Sequence, residues 1–122
     1  MNSGVLHTMQ ALATSLPTRK LEPQQVLFEA GAPGDCVFCV LSGEVEERWG
    51  EEPGERFGPG DVLGVGALVG ENHRRHCTAR AVVASELIEM SREQFLFAVQ
   101  ETPMFALELM AGLERRLRRR EH

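Results

Sequence analysis

No apolar run in this 122-residue sequence approaches the length that crosses a bilayer. The first residues also lack the basic, apolar, small-residue order of a secretory signal, so the expected compartment is the cytoplasm, with no membrane partner. Cysteine is scarce. Cys36, Cys39 and Cys77 cannot all pair within one chain, and three in this length make no disulfide framework. Excess positive charge is missing as well: the formal net charge of −5 argues against a broad nucleic-acid surface. There is no internal repeat and no low-complexity linker, and histidine occurs only four times.

What is present is the balance of an ordinary globular domain, 43% hydrophobic and 25% charged, enough for one core. The reading is a single domain over residues 1–122 in three zones. Over 3–16, Leu6, Met9, Leu12, Ala13 and Leu16 recur at helical spacing and stop before Pro17. Over 21–90 the sequence is rich in glycine and β-branched residues. Strands are expected at Gln25–Glu29, Cys36–Ser42, Glu44–Trp49, Cys77–Val83 and Glu86–Met90. Turns fall at Gly31–Asp35, Ser42-Gly43, Glu52-Pro-Gly54 and Gly58-Pro-Gly60-Asp61, where glycine supplies the positive φ of a tight corner. Over 91–120 Ser91-Arg-Glu-Gln94 forms a capping box for a helix through Val99, and Thr102-Pro103 opens a final helix. Ala106, Leu109, Met110, Leu113 and Leu117 give that helix one apolar stripe.

The fold class expected is mainly β with flanking helices: an antiparallel β-roll of the jelly-roll, cupin-like double-stranded β-helix type. The most specific stretch runs from Leu21 to Ala81. It includes Val26-Leu-Phe28-Glu29-Ala-Gly31-Ala-Pro-Gly34-Asp35, then Phe57-Gly58-Pro-Gly60-Asp61-Val-Leu63-Gly64-Val65-Gly66-Ala67-Leu68, and Arg75-His-Cys77-Thr78-Ala79-Arg80-Ala81. Their order and spacing resemble the cyclic-nucleotide-binding domain family, the β-roll of the catabolite gene activator and of kinase regulatory subunits. The resemblance implies a ligand-binding regulatory module, not an enzyme, and it covers nearly the whole chain.

In that family the cyclic phosphate sits in a cassette made of a short helix and an arginine. The resemblance maps the opening of the helix onto Gly64, Val65, Gly66, Ala67 and Leu68, where small residues let an anion approach unpaired amides. It maps the phosphate-binding arginine onto Arg75, seven residues after Leu68, followed by His76 and Cys77 at the pocket. A planar guanidinium suits two phosphate oxygens at once. Arg74 is expected to be its solvated neighbour.

Two departures stand out. The family's glutamate for the ribose 2′-hydroxyl is replaced by Val65, which accepts no hydrogen bond; an unpaired buried hydroxyl costs about 1–3 kcal/mol, or roughly one to two orders of magnitude in affinity. The small residue after the arginine is replaced by the bulkier His76. Three readings of the pocket therefore stay open. It binds cyclic AMP or cyclic GMP weakly, it takes another anion such as a cyclic dinucleotide or other small phosphorylated ligand, or it is vestigial on a protein-interaction scaffold. No resident cofactor is expected.

The family's last helix often forms a dimer seam, so a homodimer or a separate effector protein is the expected partner, through Ala106, Leu109, Met110, Leu113 and Leu117. The chain stops at His122, where an output domain begins in such proteins, and is expected to be either a stand-alone module or an excised sensor. Without a helix-turn-helix segment it is not expected to read DNA sequence directly.

Other chemistry finds little support. Cys36-Val-Phe-Cys39 has metal or redox spacing but lies in a strand-like run, where positions three apart face opposite sides. His73-Arg-Arg-His76 lacks the His-x-His and later glutamate of cupin metal sites, and no serine or cysteine has an evident base partner. Glu44, Glu46 and Glu47 read as solubility charges and Trp49 as a partly buried structural residue. Residues 113–122 hold five arginines against two glutamates, a pattern that complements a helix C-terminus.

Overall fold

The computed structural model describes residues 3–51, 54–69 and 74–120, with side chains from Leu6 to Arg119 within them. The expected turn at 52–54 and the histidine at 73 lie wholly or partly outside the described residues. The elements in chain order are α1 (Ser3–Leu12), β1 (Thr18–Leu21), β2 (Val26–Phe28), β3 (Cys36–Ser42), β4 (Val45–Arg48), β5 (Glu55–Phe57) and β6 (Val62–Leu63). They continue with α2 (Gly66–Val69), β7 (Thr78–Ala81), β8 (Ser85–Ser91), α3 (Arg92–Glu101) and α4 (Pro103–Arg120).

Two four-stranded antiparallel sheets face each other, in the orders β1-β8-β3-β6 and β2-β7-β4-β5. This is the expected antiparallel roll with helical flanks. β3 and β8 are its spine, paired from Cys36↔Ser91 to Ser42↔Glu86. Both are buried on two faces, which explains their near-continuous apolar sequence. Phe38, Val40 and Leu87 point into the roll with Leu27, Val45, Phe57, Ala79 and Ala81. Val37, Cys39, Ile88 and Met90 point outward to a second core closed by Met9 of α1, Ala98 of α3, and Phe105 and Leu109 of α4. Cys36 and Cys39 thus fall in different cores, as the strand period requires.

Several boundaries differ from the sequence expectation. The first helix ends at Leu12; Ala13 to Leu16 continue as turns bonded back to Met9, Ala11 and Leu12 before Pro17 closes them off. The roll begins at Thr18, because β1 pairs along β8 although only Leu21 of it is buried. β5 and β6, with three and two residues, are too short to show a period of their own. The helix opened by Ser91 runs on to Glu101; its capping box is complete, with Ser91 Oγ accepting from the Gln94 amide and Gln94 Oε1 accepting from the Ser91 amide.

The apolar stripe of the last helix divides. Leu109 is buried against the roll, and Ala106 and Leu113 are half-buried. Met110 and Leu117 are exposed. The innermost residue of α4 is Phe105, fully buried and tilted against Phe95 of α3. Of the stripe expected to face a partner, Leu109 and Leu113 therefore pack on the outer core of their own domain. The exposed apolar face of α4 carries Met104, Leu107, Met110 and Leu117.

Candidate functional site

Between the roll and α4 lies a cavity of about 410 Å³, within the usual range of small-molecule sites, about 300–1,000 Å³. Its walls bring together Gly64, Val65, Gly66 and Ala67 with Arg75, His76 and Cys77, seven of the eight ligand residues expected from sequence. The eighth, Leu68, turns away: its side chain packs on the outer core and its carbonyl accepts from Arg92 Nε.

Arg75 is 8% exposed, far more buried than arginine usually is. The loop at 31–34 holds its backbone, with Gly31 N donating to Arg75 O and Arg75 N donating to Ala32 O, both at 2.8 Å. Its guanidinium donates to Cys36 O at 2.7 Å and to Gly64 O at 3.4 Å, and lies 4.4 Å over the Phe28 ring. Nε is buried with no partner, and no carboxylate forms an ion pair with Arg75 among the described residues. A buried guanidinium with no carboxylate in contact is costly, and an anion seated against it would offset that cost.

Two glycines make room for this arginine. A Cβ at Gly34 would overlap Nε, Cζ and Cδ of Arg75, and one at Gly64 would meet Nη1 at 2.7 Å. Gly64 also has a φ of +80°, which strains any side chain. The amides of the cassette contribute less than expected. Ala67 N is bonded to Gly64 O and Leu68 N to Val65 O, so these two amides are already engaged within the turn.

Sequence reasoning missed several wall residues, among them Arg116, Glu47 and Trp49. Arg116 of α4 donates to Glu55 at 2.7 Å and to Asp61 at 2.8 Å, and its guanidinium lies 4.0 Å over Phe57. It therefore ties the helix to the roll at the cavity edge instead of merely complementing a dipole. Its signal was hidden in a run of near-identical arginines. Glu47 was read as a solubility charge, but only Glu44 and Glu46 behave so, pairing with Arg56 and Arg48 at the surface. Glu47 lines the cavity, where burial pushes its carboxyl up while a hydrogen bond from Cys77 pulls it partly back. Trp49 also lines the cavity and is 45% exposed, which puts it at the rim. Arg74 is exposed at the same rim, donating to Gly31 O at 3.0 Å.

Burial pushes Cys39 and Cys77 up to about 12, and Cys36 is raised for the same reason first. Among the described residues no group of histidine, cysteine or carboxylate side chains gathers to hold a metal, and no helix is long and apolar enough to cross a membrane.

A small antiparallel roll with an inward arginine, a glycine-lined turn and a helix over the cavity defines a ligand-binding regulatory fold. The family model described as the cyclic nucleotide-binding domain matches residues 18–102. The chain belongs to that family. It is 34% identical over 113 residues to the cyclic AMP receptor protein of Thermus thermophilus, covering 88% of this chain and 52% of that protein. The solved catabolite activator protein of Thermus thermophilus superposes with a TM-score of 0.74 at 27% identity, covering 94% of this chain and 56% of the other. A structure from a cyclic-GMP-dependent pathway that regulates bacterial phytopathogenesis gives 0.75 at 29% identity, covering 96% and 94%. The chain spans about half the length of the cyclic AMP receptor protein it matches.

Proposed function

We propose that this domain senses a cyclic nucleotide in the cavity beside Arg75 and reports its occupancy through α4. The observation that carries this reading is the buried guanidinium of Arg75, which faces the cavity without a carboxylate partner. A cyclic phosphate would supply the missing charge and accept charge-assisted hydrogen bonds. The cavity volume, at the small end of ligand sites, favours a mononucleotide over a cyclic dinucleotide. Relatives named for cyclic AMP and cyclic GMP support the ligand class.

Transmission follows from who lines the cavity. Leu113, Arg116 and Leu117 of α4 share its wall with the cassette, so a ligand that touches both biases how the helix packs. It does so only by its difference in affinity for the two arrangements. The receiver is a second copy or an effector protein seated on the exposed face of α4. We place the module in the cytoplasm, acting on a partner without reading DNA sequence itself.

Thermal melting with cyclic AMP, cyclic GMP and cyclic dinucleotides tests the reading. At one hundred times its dissociation constant a ligand adds about 2.7 kcal/mol of stability, and Arg75→Ala removes that gain. No shift with any of them would leave the alternative, a β-roll interaction scaffold with a vestigial pocket. Val65 favours that alternative, since it lines the wall where the family places a sugar acceptor.

A further inference from the structure

Two carboxylates line the cavity, on the facing positions Glu47 of β4 and Glu55 of β5. They are not equivalent. Glu55 is held by Arg116 at 2.7 Å. Glu47 forms no ion pair among the described residues; the Cys77 thiol donates to it, and the guanidinium groups of Arg116 and Arg75 act on it only from beyond contact distance. A half-buried carboxylate with no guanidinium in contact has acceptor capacity left for a ligand's hydrogen-bond donors.

Resting on the ligand class proposed above, we infer that Glu47 selects the base, favouring a guanine-type edge over an adenine-type edge. Like charge keeps the phosphate away from Glu47, so the phosphate lies on Arg75 and the uncharged part of the ligand turns to β4. The two oxygens of a carboxylate match two parallel N–H donors, which guanine presents at N1 and at its exocyclic amine. Adenine presents one amine beside a ring nitrogen whose lone pair would face the second oxygen. That mismatch both loses a bond and leaves the carboxylate desolvated, so it discriminates from both sides. A ribose hydroxyl offers a single donor and would occupy one oxygen only.

Isothermal titration of the whole chain with cyclic GMP, cyclic AMP and 2′-deoxy cyclic GMP tests this, with Glu47→Gln and Glu47→Val beside the natural residue. The expected result is binding at least about tenfold tighter for cyclic GMP than for cyclic AMP, with the deoxy analogue close to its parent. Glu47→Gln, which presents one acceptor and one donor, reverses the preference; Glu47→Val removes it while keeping phosphate-dependent binding. Equal affinity for the two nucleotides, or a preference for cyclic AMP, overturns the inference and leaves nucleotide sensing intact. A large loss with the deoxy analogue, unaccompanied by base preference, reassigns Glu47 to the sugar and overturns it too. No heat with any nucleotide overturns the sensing reading itself, and this one with it.

Discussion

Gly34 has no side chain where the guanidinium of Arg75 passes: a Cβ there would overlap Nε, Cζ and Cδ. The relationship is steric alone, since Gly34 has an ordinary negative-side backbone and no positive φ. Gly34→Ala is therefore expected to displace the arginine, with an overpacking cost of about 1–3 kcal/mol. The cost should vanish when Arg75→Ala is already present. A double-mutant cycle by urea unfolding measures it, with coupling of roughly 0.5–3 kcal/mol for residues in contact. Strict additivity would mean that Arg75 does not rest against Gly34.

Arg116 is 14% exposed and serves two carboxylates from different elements. Arg116→Met keeps the packing over Phe57 but leaves Glu55 and Asp61 without their shared cation. A loss of about 1–3 kcal/mol is expected, with faster amide exchange in the second half of α4 while β3 and β8 keep their protection. Arg116→Lys should recover little, because one ammonium cannot reproduce the fork. Unchanged exchange in α4 would show that the apolar contacts of Phe105 and Leu109 hold the helix by themselves.

The thiol of Cys39 is held up at about 12 by burial, against an ordinary value of 9.0. The unfolded chain thus releases this proton near pH 9 while the folded chain retains it. Stability is full below pH 9 and falls as pH rises toward 12, by on the order of 4 kcal/mol from this group if the whole shift is expressed. Cys39→Val should flatten that part of the wild-type profile in denaturant titrations between pH 8 and 11. At pH 8 in the folded state, alkylation should reach half-buried Cys36 first and Cys39 last.

Met104, Leu107 and Met110 expose their side chains on one side of α4, and Leu117 extends the face toward the cavity. If this face seats a second copy, Leu107→Asp should shift light scattering from dimer to monomer without lowering the melting temperature of the monomer. Leu113→Asp is a poorer probe, because Leu113 packs on the outer core and would destabilise the fold directly. A chain that is monomeric at high concentration with Leu107 intact would assign the face to another partner.

The roll was legible because its signals are local. Glycines at the corners, alternating or continuous apolar runs in β3 and β8, and the capping box at Ser91 each act over a few residues. β1, β5 and β6 escaped because their pairing comes from the neighbour strand and not from their own composition. Arg75 was visible through the resemblance to the cyclic-nucleotide-binding family, whereas Arg116 stood among four other arginines and Glu47 among other glutamates.

By itself, then, the sequence determined that this chain forms a β-roll with a glycine-lined turn and an arginine in a fixed place after it. Only the tertiary structure decided which charges face inward. A strand or helix period tells which residues share a face, but not what lies opposite that face. The arrangement that pairs Glu55 with Arg116 and gives Glu47 and Arg75 no ion pair in contact is built from elements far apart in the chain.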